Sequence, residues 1–93
     1  MNTTLYSVFL ENSRDDNKYT TLLGTFTTEE KALEAVRKAD ADTAEEYKRN
    51  YGENYSRDKI TDRHIEYKLD WYFDETIIWV VQHQLDEYLP IDL

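Results

Sequence analysis

The stretch that decides the fold is Ile65-Glu66-Tyr67-Lys68-Leu69-Asp70-Trp71-Tyr72-Phe73, followed after Asp74-Glu75-Thr76 by Ile77-Ile78-Trp79-Val80-Val81-Gln82-His83-Gln84-Leu85. In the first run Ile65, Tyr67, Leu69, Trp71 and Phe73 alternate with Glu66, Lys68, Asp70 and Tyr72, the period of a strand with one face buried. In the second, Ile77, Trp79, Val81, His83 and Leu85 share one face and Ile78, Val80, Gln82 and Gln84 the other. A three-residue turn at Asp74, Glu75 and Thr76 would join them as an antiparallel hairpin. Phe73 would then face Ile77, Trp71 Trp79, Leu69 Val81 and Tyr67 His83.

Working outward towards the N-terminus, Thr4 to Glu11 reads as a strand, with Tyr6, Val8 and Leu10 on one face and Leu5 and Phe9 on the other. Asn12 to Lys18 carries the polar side chains of a hairpin loop, and Tyr19 to Phe26 returns as a second strand. Gly24 inside it marks a bulge or the close approach of another group. Thr27 with Glu30 three residues on forms a capping box, and Leu33, Val36, Ala44, Tyr47 and Tyr51 follow at helical spacing. The helical region spans Thr28 to about Tyr51, as one helix or as two broken near Asp40 to Asp42. Gly52 stops it, and Glu53 to Asp62 reads as a polar connection.

The expectation is therefore α+β: a four-stranded antiparallel sheet in ββαββ order with its helical region packed on one face, in a single domain covering residues 1–93. The other face would carry some of Leu5, Phe9, Leu22, Phe26, Tyr72, Ile78 and Val80. Exposed apolar groups in that number point to a partner or a homodimer.

Composition excludes several kinds of chemistry. The 93 residues contain no cysteine, which removes disulfides, thiolate metal sites and cysteine nucleophiles. Met1 to Leu5 is not a basic stretch leading into an apolar run, and no run is long enough to span a bilayer, so the expected location is cytoplasmic. Twenty acids against eleven bases give a net charge of −9, a field that disfavours direct nucleic-acid binding and anionic membranes. After Lys68 there is no base at all, and Asp70, Asp74, Glu75, Asp86, Glu87 and Asp92 remain.

No motif carries catalysis. His64 and His83 lack companions at metal-ligand spacing, Asp15, Asp16 and Asn17 lack the rest of a calcium loop, and the two glycines stand too far apart for a phosphate-binding loop. Carboxylate pairs such as Glu29/Glu30 and Asp86/Glu87 are what twenty acids produce by chance. No catalytic residue, metal or cofactor is assigned. The informative pairing is tyrosine beside acid, since the ring supplies contact area and the carboxylates steer a basic partner. Asp70, Tyr72, Asp74, Glu75, Asp86, Glu87 and Tyr88 are the candidate partner-binding residues.

The segments Tyr6-Ser7-Val8-Phe9-Leu10-Glu11 and Leu22-Leu23-Gly24-Thr25-Phe26-Thr27-Thr28-Glu29-Glu30-Lys31-Ala32 resemble small bacterial and phage domains of unknown function, in which a hairpin ends in a Gly-x-aromatic step and runs into a capped helix. That resemblance implies the fold and no active site. In size and composition the chain is also similar to phage-encoded inhibitors of host defence such as anti-CRISPR proteins. This implies a non-catalytic, acidic module docking on the basic, nucleic-acid-binding surface of a defence protein. The alternatives are a homo-oligomeric accessory domain and a small-molecule binder or enzyme with a pocket between helix and sheet.

Overall fold

A computed structural model describes residues 3–14, 17–69 and 74–85. Its elements run β1 (Thr4–Arg14), β2 (Asn17–Phe26), α1 (Glu29–Tyr51), β3 (Tyr55–Thr61), β4 (His64–Leu69) and β5 (Asp74–Gln84). The strands form one antiparallel sheet in the order β2-β1-β5-β4-β3. The class is α+β as expected, but the sheet has five strands and the order is ββαβββ, which corrects the four-stranded ββαββ reading.

The extra strand is β3, in the segment expected to be a polar connection. Tyr-Ser-Arg-Asp-Lys-Ile-Thr offers little alternation of apolar and polar residues. Its pairing with β4, from Tyr55 opposite Leu69 to Thr61 opposite His64, supplies the order that its own composition does not.

The hairpin at the C-terminal end is also re-registered. Tyr67 faces Thr76 rather than His83, and Ile65 faces Ile78. The shift is seven residues, an odd number, so every side chain of β5 changes face relative to the expectation. Asp74, Thr76, Ile78 and Val80 now point towards the helix, and Ile77, Trp79, Val81 and His83 away from it. Asp74, Glu75 and Thr76 are strand rather than turn, and Trp71 and Phe73 lie outside the described residues.

The helix is single. Thr28 is its N-cap, with its hydroxyl accepting from the Lys31 amide at 3.3 Å, one residue later than the expected box. It runs unbroken through Asp40 to Asp42, and the Asp40 carboxylate, on the buried stripe, is taken by Arg57 and Tyr67. At the other end the Gly52 amide returns to the Lys48 carbonyl at 2.9 Å with φ +66°, a conformation that other residues resist.

This helix lies across one face of the sheet, over β2, β1 and β5 with a lesser contact to β3. Between the layers Val8, Ala32, Val36, Tyr47, Ile65, Tyr67, Leu69 and Ile78 form the core. The molecule is 49 Å long and 18 Å in its thinnest dimension, one sheet and one helix deep.

Candidate interaction surface

Asp74 opens β5 on the helix side of the sheet, where the C-terminal half of α1 passes over it. Tyr47 and Tyr51 stand one helical turn apart, so both hydroxyls reach the same carboxylate, at 2.9 and 2.7 Å. Asn12 and Arg14, alternate residues of the neighbouring β1, add donors at 3.0 and 3.1 Å. The Asp74 side chain is 2% exposed. Burial pushes its carboxyl up, but the hydrogen bonds from Tyr51, Tyr47, Asn12 and Arg14 outweigh that and hold it below its ordinary value. This carboxylate is saturated from within and is not presented to a partner.

A second tyrosine-carboxylate cluster sits farther along the helix. Tyr67 Oη donates to the Asp40 backbone carbonyl at 3.1 Å and also engages its carboxylate, which Arg57 clasps from β3. The rings of Tyr47, Tyr55 and Tyr67 are mutually in contact, with centroids 5.3 to 6.0 Å apart. Tyr47 of α1, Tyr55 of β3 and Tyr67 of β4 thus meet from three elements and pack at the core.

Opposite the helix, the pairing of β1 with β5 brings Phe9 and Trp79 together, stacked at 5.4 Å between centroids. Leu22 of β2 stands across from Phe9 and is 53% exposed, while Ile77 and Val81 flank Trp79 half-buried. Leu5, Phe9 and Leu22 occupy this face as expected. Phe26, Ile78 and Val80 belong to the core side, and Trp79 takes their place.

Acids border the apolar centre: Glu11, Glu66, Glu75 and Asp58, against Lys18 and Lys68. Glu11 is 3.3 Å from Lys18, and Glu66 is 3.2 Å from His64. The exposed charges of α1 are different: Glu30, Glu34, Asp42, Glu45 and Glu46 are balanced by Lys31, Arg37, Lys38, Lys48 and Arg49. Of the seven candidate partner-binding residues, Glu75 lies on the helix-free face and Asp74 inside. Asp70, Tyr72, Asp86, Glu87 and Tyr88 lie outside the described residues.

One arrangement has the outline of nucleophilic chemistry. Ser7 Oγ is 2.7 Å from His83 Nε2, and the ring's Nδ1 is 3.2 Å from the Gln84 carbonyl. A ring protonated at Nδ1 satisfies that carbonyl and accepts the Ser7 hydroxyl at Nε2. Ser7 is only 3% exposed and is also bonded to Thr25 at 3.0 Å, so no acyl carbon can approach its oxygen. The pair is a cross-strand tie.

Among the described residues no group of side chains is placed to hold a metal ion, and no helix is long and apolar enough to cross a membrane. No protein-family model, curated protein or solved structure matches the chain.

Proposed function

We propose that this protein is a non-catalytic binding module that docks on a basic protein surface through the helix-free face of its sheet. The observation that carries the reading is the half-buried Trp79 at the centre of that face, seated on the buried ring of Phe9, with Leu22 exposed beside it and glutamates around it. An aromatic anchor inside a charged rim is the anatomy of a protein interface, and the rim's sign selects a cationic partner. The net charge of −9 acts in the same sense at long range, and the balanced charges of α1 leave the helix side without that preference.

A ligand between helix and sheet is less well supported, since Val8, Val36, Tyr47, Tyr67 and Ile78 fill that space at 3% exposure or less. The finer reading, an inhibitor occupying the nucleic-acid-binding surface of a host-defence protein, rests on the resemblance in size and composition.

The test begins with capture of a stoichiometric partner from the native host and continues with the two purified proteins. Trp79→Ala and Leu22→Asp should each weaken the complex by roughly 30-fold or more, the effect of losing a ~2 kcal/mol anchor. Glu75→Gln combined with Asp86→Asn and Glu87→Gln should weaken it further and flatten its decline with salt. An affinity indifferent to salt and to Trp79 and Leu22, or lost instead on Glu45→Gln and Glu46→Gln, would refute the assignment.

A further inference from the structure

Among the described residues the sheet has two edges without a neighbouring strand, β2 and β3, and they are built differently. β3 is seven residues long and carries the charged Arg57 and Asp58 in succession, the charged protection that keeps an edge from pairing. β2 is ten residues long and contains no acid and no proline. Its one charge, Lys18, is 3.3 Å from Glu11 of the adjacent strand, so the edge is close to electrically neutral in a chain of net charge −9. Three of the four large apolar side chains exposed among the described residues, Tyr19 at 63%, Leu22 at 53% and Leu23 at 40%, lie on β2.

The ladder between β1 and β2 shifts at Val8/Phe9, where Gly24 and Leu22 are the successive partners and Leu23 is the extra residue. That bulge interrupts the edge and leaves Asn17 to Leu22 as its regular length. We infer that this edge pairs with a second copy of the chain, Asn17 to Leu22 of the two copies running antiparallel and joining two five-stranded sheets into one.

Charge permits a second copy here. Two molecules of like net charge repel where acids are in excess, whereas β2, its one lysine matched by Glu11, has no such excess and differs from the balanced helix side in presenting exposed apolar side chains along an unpaired backbone. Centred on Thr20, the pairing sets Thr20 against Thr20, Tyr19 against Thr21 and Lys18 against Leu22, so that no two charges oppose each other. A two-fold pairing closes on itself, and the charged β3 edge opposes further addition. The helix-free face stays open in such a dimer, so this inference stands apart from the docking reading.

Because the chain has no cysteine, single-cysteine variants report the contact directly. Sedimentation at high micromolar concentration should show a dimer, and Thr20→Cys should give a disulfide-linked dimer under mild oxidation while Asp58→Cys does not. Thr20→Lys, which sets two like charges face to face, should return the protein to a monomer with its far-ultraviolet circular dichroism unchanged and a melting temperature that no longer rises with protein concentration. A chain that is monomeric at every concentration overturns the inference. So does a dimer that survives Thr20→Lys, or one that cross-links from Asp58→Cys or Trp79→Cys and not from Thr20→Cys.

Discussion

Asp74 is the residue on which the interior turns, and its fate shows what linear sequence conceals. An Asp-Glu pair after an aromatic run has the chemistry of a turn, and nothing in its neighbours says that Tyr47 and Tyr51 will meet it from above. Removing its charge while keeping its shape, as in Asp74→Asn, leaves four donors around a group that can no longer serve them all. Urea denaturation should show a loss of about 2–4 kcal/mol. The folded carboxyl titrates below its ordinary 3.8, so its contribution is complete above that pH and is lost as pH falls through the lower folded value. Asp74→Asn should therefore cost much less in strong acid than at neutrality; an equal cost at both would exclude the linkage. The tyrosines report the opposite limb. Burial foremost raises the phenols of Tyr47 and Tyr67, and the hydrogen bond to Asp74 raises that of Tyr51. Their stabilisation holds below pH 10 and disappears as pH climbs through the raised values, so a spectrophotometric titration should show these three ionising after the exposed tyrosines, coincident with alkaline unfolding.

For the helix, local signals in the sequence and the structure agree within one residue. Thr28→Ala should lower stability by about 1 kcal/mol and Thr27→Ala by no more than a few tenths, because only Thr28 holds the cap. Gly52→Ala should cost about 1–2 kcal/mol from its positive φ, although open space surrounds the added carbon. Thermal melts of the three variants would separate the positions. The strands were legible in proportion to how one-sided they are. In β4 the apolar residues Ile65, Tyr67 and Leu69 choose their own face, and in β1 Tyr6, Val8 and Leu10 outnumber Leu5 and Phe9 opposite them. In β5, Ile77, Trp79 and Val81 compete with Ile78 and Val80, both phases are apolar, and the alternation cannot choose between them. The choice is made by β1, which puts Trp79 against Phe9 on one side and leaves Asp74 and Thr76 for the tyrosine hydroxyls on the other. Gly24 was readable both ways: the bulge falls beside it, and the Phe26 ring lies 2.8 Å from where a β-carbon would stand. Strand β3 was missed because an edge strand protected by charge looks, in sequence, like a loop.

At the scale of the whole molecule, a thin domain with twenty acids and eleven bases works against its own net charge. Ordered ion pairs recover part of the deficit: Arg14 with Asp74, Arg57 with Asp40, and Arg63 with Glu29. The remaining self-repulsion is spread over exposed surface at separations comparable with the ~10 Å Debye length of 0.1 M salt, and so is open to screening, whereas the buried contacts of Asp74 are not. Raising salt from low to moderate concentration should therefore stabilise the fold, by roughly 4–8 °C in melting temperature for each kcal/mol of repulsion removed. Pairing through the neutral β2 edge should strengthen for the same reason, since like charges then approach behind the same screen. The proposed complex with a basic partner should weaken, because there salt screens attraction. Scanning calorimetry, sedimentation and a binding titration across one salt series would thus move in opposed directions for one electrostatic cause. If melting temperature fell with salt, surface ion pairs rather than net repulsion would govern this fold, and the steering assigned to its acidic sheet face would lose its basis.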